Sequence, residues 1–114
     1  MFTNRFSKIF LFLFLFGGFT TLSFAQQNPQ ALFDDANEML QKDNYQQALS
    51  LYQKLEDQNT VSGALYLNMG ISYQRIESLG VAKCYFLKAS QFEEAEQQAK
   101  TALEFVESRC SQQS

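Results

Sequence analysis

The 114-residue chain contains no histidine, one proline and two cysteines. Without histidine the usual general base and the commonest metal ligand are missing, and two cysteines cannot complete a four-ligand zinc shell, so no metal is expected. A glycine-rich phosphate loop and a nucleophile elbow are also absent. Asp34-Asp35 and the group Glu93, Glu94 and Glu96 are the remaining candidates for acid–base chemistry. Both are expected at helix starts, where acidic side chains suit the macrodipole and need no further role. A protein that is not an enzyme, with no catalytic residues and no cofactor, is expected. No stretch alternates polar and apolar residues for long enough to form a strand, which makes the expected fold class all-α.

The segment 1–25 differs from the rest. Arg5 and Lys8 give a basic start, Ile9 to Phe16 is an unbroken apolar run, Gly17 and Gly18 interrupt it, and Ser23-Phe24-Ala25 ends in small residues. This is the pattern of a secretory signal cleaved after Ala25. The run falls well short of the roughly 20 residues that span a bilayer, so no stable membrane span is expected after cleavage. Residues 26–110 then form one small domain and 111–114 a flexible tail. The product is expected in the periplasm or secreted.

Losing Arg5 and Lys8 leaves seven basic residues against 12 acidic ones, a net charge of −5 for the mature chain. Such a surface repels phosphates, which disfavours nucleic acid as a partner. Cys84 and Cys110 both remain. One falls within a helix and the other near the end of the next, which favours two unrelated thiols, Cys84 semi-buried, over a disulfide needing Cα atoms within about 7 Å.

Turn signals divide the mature chain into five helices. Asn28-Pro29 supplies an N-cap and a proline at the first helical position. Leu32, Phe33, Ala36, Met39 and Leu40 follow at helical spacing, ending near Gln41. Asn44 with Gln47 reads as a capping box for a second helix carrying Ala48, Leu49, Tyr52 and Leu55. A third helix starts near Ser62 with Leu65, Met69, Gly70 and Tyr73 on its packed faces. Ser78 can cap a fourth with Leu79, Ala82, Tyr85, Phe86 and Ala89. A fifth, about 94–109, presents Ala95, Ala99, Ala102, Leu103 and Val106.

These helices repeat. At one constant offset Ala36 recurs as Gly70, Met39 as Tyr73, Ala48 as Ala82, Tyr52 as Phe86 and Leu55 as Ala89. Small residues recurring at the crossing points, with large ones a turn away, let paired helices approach closely. The period and the stretches Ala64 to Tyr73 and Leu79 to Ala89 resemble a tetratricopeptide repeat, and Asn44 to Tyr52 resembles the second half of another. The resemblance implies antiparallel helix pairs stacked as a short solenoid, two repeats plus a capping helix. More narrowly, Leu79 to Phe86 and Ala102 to Arg109 resemble the repeat region of BatE-type aerotolerance proteins. That likeness implies an exported envelope protein, linked to aerotolerance or oxidative stress, beside membrane proteins with von Willebrand factor A domains.

In this register a concave groove is lined by Phe33, Asn37, Leu40, Leu67, Asn68, Ile71 and Gln74, with Ala102 and Phe105 from the cap. Apolar pockets and amides suit a bound peptide. Repeats of this family that clamp a C-terminal carboxylate need basic residues where Phe33, Gln98 and Ala102 stand, so that mode is not expected. The function expected is a protein-protein interaction module holding a peptide or partner in the groove. The alternative is a structural subunit of an envelope complex, assembling through the solenoid ends. A short stack buries little by itself, so self-association or a partner is expected to stabilise it.

Overall fold

The computed structural model describes residues 28–113; the expected signal at 1–25 lies outside them. Five α-helices, α1 (Pro29–Gln41), α2 (Tyr45–Asp57), α3 (Gly63–Arg75), α4 (Leu79–Ala89) and α5 (Glu96–Gln113), are joined by short turns, with one turn of 3-10 helix at Glu93–Ala95. There is no strand among the described residues. Each helix packs chiefly on the next, and α3 also touches α1 and α5. α3 is therefore the central element.

The first core cluster joins Leu32 and Ala36 of α1, Ala48, Leu49, Tyr52 and Leu55 of α2, and Leu65 and Met69 of α3. The second joins Leu79, Ala82 and Phe86 of α4 to Val106 of α5, with Leu67 and Ile71 packed against them. A third, of Ala89, Ala95 and Ala99, seals the other end of α5. Alanines dominate this last cluster because the helices meet backbone to backbone there.

The repeat seen in the sequence is present in the backbone. α3 starts and ends at the same constant offset from α1, and α4 starts at that offset from α2. The burial pattern follows it too: Ala36 and Gly70, Ala48 and Ala82, Tyr52 and Phe86, and Leu55 and Ala89 are buried, whereas Met39 and Tyr73 are half-buried. The turns recur as well. Asp43 and Glu77 both adopt left-handed backbone (φ 62° and 64°). Around them Asn44 N bonds Met39 O and Asp43 N bonds Leu40 O, and Ser78 N bonds Tyr73 O and Glu77 N bonds Gln74 O. These are the two hydrogen bonds of a Schellman motif. A third, around Asn59 (φ 58°), ends α2.

Those turns correct two expected caps. Asn44 and Ser78 stand at N-cap positions, but neither side chain caps its helix. Their backbones have ψ of 68° and 69°, and their N–H groups are already donated to the preceding helix. Gln47 therefore has no N-cap amide to reach, and the capping box does not form. Where the entry is extended, as at Ser62 (ψ 167°), the hydroxyl does accept from Leu65 N at 3.0 Å. Asn28 likewise accepts from Gln30 N at 2.9 Å, with Pro29 behind it as expected.

Three further differences are local. Asp34 and Asp35 lie beyond the first turn of α1, and Asp34 accepts instead from Gln30 Nε2 one turn back. Cys84 is exposed rather than semi-buried, and neither it nor Cys110 forms a disulfide. The last helix continues to Gln113, past the expected end at Arg109.

Gly70 shows why a small residue is needed at one crossing. A Cβ there would stand 2.5 Å from the Phe86 ring carbons. Gly63 is confined similarly, by the Cβ atoms of Phe92 at 2.7 Å and Ala95 at 2.9 Å. Its N–H donates to Glu94 Oε1 at 3.0 Å. A carboxylate from the α4–α5 connection thus satisfies an orphan donor at the N-terminus of α3.

Candidate interaction face

The residues assigned to the groove lie on α1, α3 and α5, the three helices connected through α3. Asn37 and Asn68 meet directly, Asn68 Nδ2 donating to Asn37 Oδ1 at 3.0 Å. The same oxygen accepts from the Tyr52 hydroxyl at 2.5 Å. One amide oxygen therefore ties α1, α2 and α3 together. Both of its lone pairs are used, which removes Asn37 as an acceptor for a ligand. Its Nδ2 donor and the Asn68 side-chain oxygen have no protein partner among the described residues, and neither atom is fully buried. One donor and one acceptor thus face solvent, the pair a peptide backbone needs.

The apolar members divide. Phe33 and Leu40 are half-buried against the first core cluster, and the Phe33 ring lies 6.1 Å from that of Tyr52. Phe33 also lines a shallow cleft of about 260 Å³ with Pro29, Val61 and Leu65. Leu67, Ile71 and Ala102 pack on the second cluster. Their buried halves hold the helices together while their outer surfaces floor the face.

Gln74 and Phe105 stand apart from this floor. They line a cleft of about 520 Å³ with Tyr45, Arg75, Glu77 and Arg109. Phe105 is 49% exposed, the most exposed large apolar side chain among those described. Arg109 grips Glu77 with two bonds, 2.8 and 3.0 Å long, and its guanidinium lies 5.9 Å from the Phe105 ring centre. The Tyr45 hydroxyl donates to Asp43 at 2.8 Å, and this bond raises its pKa.

Sequence reasoning missed Arg75, Arg109 and the Tyr52 hydroxyl. Arg75 lies in the last turn of its helix, where a basic residue satisfies the macrodipole and gives no sign of a cleft, and Arg109 has its carboxylate partner, Glu77, on a distant turn. Tyr52 read as a space-filling ring. Burial pushes its hydroxyl up to about 12, partly offset by the Asn68 amide, so it remains a donor at neutral pH.

The opposite side carries a satisfied aromatic cluster. Tyr85 stacks on Tyr73 at 5.3 Å and donates to Glu56 Oε1 at 2.9 Å. Lys88 lies over Tyr85, 4.7 Å from the ring centre, and pairs with Glu56. Burial, reinforced by Glu56, raises the Tyr85 pKa. Each of these polar groups has its partner within the cluster.

Among the described residues no three His, Cys, Asp or Glu side chains are grouped as metal ligands would be, and no helix is long and apolar enough to cross a membrane. Comparison with protein-family models, with curated proteins and with solved structures gave no match.

Proposed function

We propose that the chain is an exported tetratricopeptide-type holder of the cell envelope, two repeats and a capping helix, which binds an extended peptide or partner segment across α1, α3 and α5. The observation that carries this reading is the recurrence, at one constant offset, of helix limits, buried positions and left-handed turns. A bundle without repeats has no reason to reproduce its turns at the offset of its core. α5 is the cap: it buries Val106 against α4 and leaves Gln97, Gln98, Lys100 and Glu104 in solvent. The solvent-facing atoms of Asn37 and Asn68, beside Leu67 and Ile71, offer backbone hydrogen bonds next to apolar contact. A link to aerotolerance, with membrane partners carrying von Willebrand factor A domains, is the part of the proposal that rests on the BatE resemblance.

A second reading, assembly through the outer surface, is favoured by Val81 and Leu87, which are 43% and 47% exposed on α4. Photo-crosslinkers at Asn68 and Gln74, compared with Gln46 and Gln97, separate the two in envelope extracts. Crosslinks from the first pair are expected. Crosslinks from Gln46 and Gln97 alone would replace the peptide-holding reading with the assembly reading.

A further inference from the structure

The geometry points to the cleft around Arg75 as a subsite for an acidic side chain of the bound peptide, with Phe105 receiving an apolar neighbour of that side chain. The inference rests on the peptide-holding reading above, because Gln74 and Phe105 belong to both the face and the cleft. Charge bookkeeping over the described residues carries it. Lys42, Lys83, Lys88, Lys100 and Arg109 each pair with a carboxylate within 3.6 Å. Of the seven described basic residues only Lys54 and Arg75 form no such pair, and of these two only Arg75 lines the cleft.

The other cleft charges are already matched. Glu77 is held by both of its oxygens on Arg109. Tyr45 directs its proton to Asp43, and Arg75 donates to the same hydroxyl, which leaves the remaining guanidinium donors without a protein carboxylate. A guanidinium offers five donors in a planar fork that fits a carboxylate with two parallel bonds. In a chain whose mature charge is −5, an arginine with no carboxylate partner in a concave site creates a local anion preference against the overall field. Phe105 beside it supplies apolar area and a ring already engaged by Arg109. An acidic residue next to an apolar one matches both.

The test uses protein produced from the full 114-residue chain and three pools of end-blocked decapeptides with randomised apolar positions. One pool carries Asp or Glu at its polar positions, the second Asn or Gln, the third Lys. The acidic pool is expected to be retained about tenfold better than the amide pool, as one charge-assisted bidentate pair allows. Arg75→Gln should bring the two pools level, Arg75→Lys should keep part of the preference, and Lys54→Gln should change nothing. Arg75 is exposed, so an unchanged melting curve will show that the variant folds. Equal retention of the acidic and amide pools by the unaltered protein overturns the inference and leaves the groove reading standing. A preference surviving Arg75→Gln, or lost equally with Lys54→Gln, also overturns it. If no pool is retained, the groove reading falls with it.

Discussion

Gly70 and Tyr52 show how much of this fold depends on single side chains. With a Cβ at position 70 standing 2.5 Å from the fully buried Phe86 ring, even Gly70→Ala must displace an aromatic that has nowhere to move. A loss of about 1–3 kcal/mol is expected, read by chemical denaturation, despite alanine's better helix propensity. Tyr52 couples stability to pH. Its hydroxyl titrates in the unfolded chain near the ordinary 10 and in the folded protein near 12. The folded state thus holds the proton more tightly. That contribution is fully present below pH 10 and is lost as pH climbs from about 10 through 12, on the order of 2 kcal/mol in all. Tyr52→Phe should therefore flatten the alkaline limb of a stability–pH curve. At neutral pH it should cost about 1 kcal/mol for the lost bond to Asn37. Because Cys84 and Cys110 are both free, a reducing agent should leave the melting temperature unchanged.

At the scale of elements, helix ends are governed by what the neighbouring backbone leaves unsatisfied. α3 receives two independent caps, the Ser62 hydroxyl on Leu65 N and the Glu94 carboxylate on Gly63 N. Ser62→Ala should cost about 1 kcal/mol. Glu94→Gln keeps an acceptor but loses the charge at a positive helix end, so a smaller loss of about 0.5 kcal/mol is expected, diminishing in high salt. α2 and α4, by contrast, take their entry from the Schellman turns before them, so removing the Asn44 or Ser78 side chain should change stability little. Thermal melts of the four variants test the ranking. The sequence made Asn28 legible as a cap and Ser62 as a helix start, because a capping side chain acts on backbone close to itself in the chain. It could not show that Asn44 and Ser78 had already given their N–H groups to the previous helix, since that depends on the left-handed residues at Asp43 and Glu77. Glu94 was read only as a helix-start acid, because its partner, Gly63, lies on a helix distant in sequence.

For the whole molecule, α5 determines whether the second core cluster exists. Val106 is fully buried against α4, so Val106→Asp places a charge with no partner in that cluster. Several kcal/mol are expected to be lost, enough to unfold a domain of this size, and circular dichroism would show it. Truncation before Glu93 should expose Leu79, Ala82 and Phe86 together and abolish a cooperative melt, as the proposed capping role of α5 requires. If α1 to α4 alone melted as sharply as the full chain, α5 would be an appendage rather than a cap.

Periodicity is what the sequence determined by itself. Five helices, the starts of the first four near Pro29, Tyr45, Gly63 and Leu79, and the small–large pairs recurring at one offset follow from spacing and composition, since backbone geometry and burial act on neighbouring residues. Phe33, Asn37 and Leu40, and Leu67, Asn68 and Ile71, were legible as two stripes because each set recurs at helical spacing within one helix. The tertiary structure alone decided what those residues face. It placed Asn37 Oδ1 between two donors, joined Arg109 to Glu77, and left Arg75 in a cleft without a carboxylate. A side chain's partners depend on how helices distant in sequence are placed against one another, and no local pattern encodes that placement.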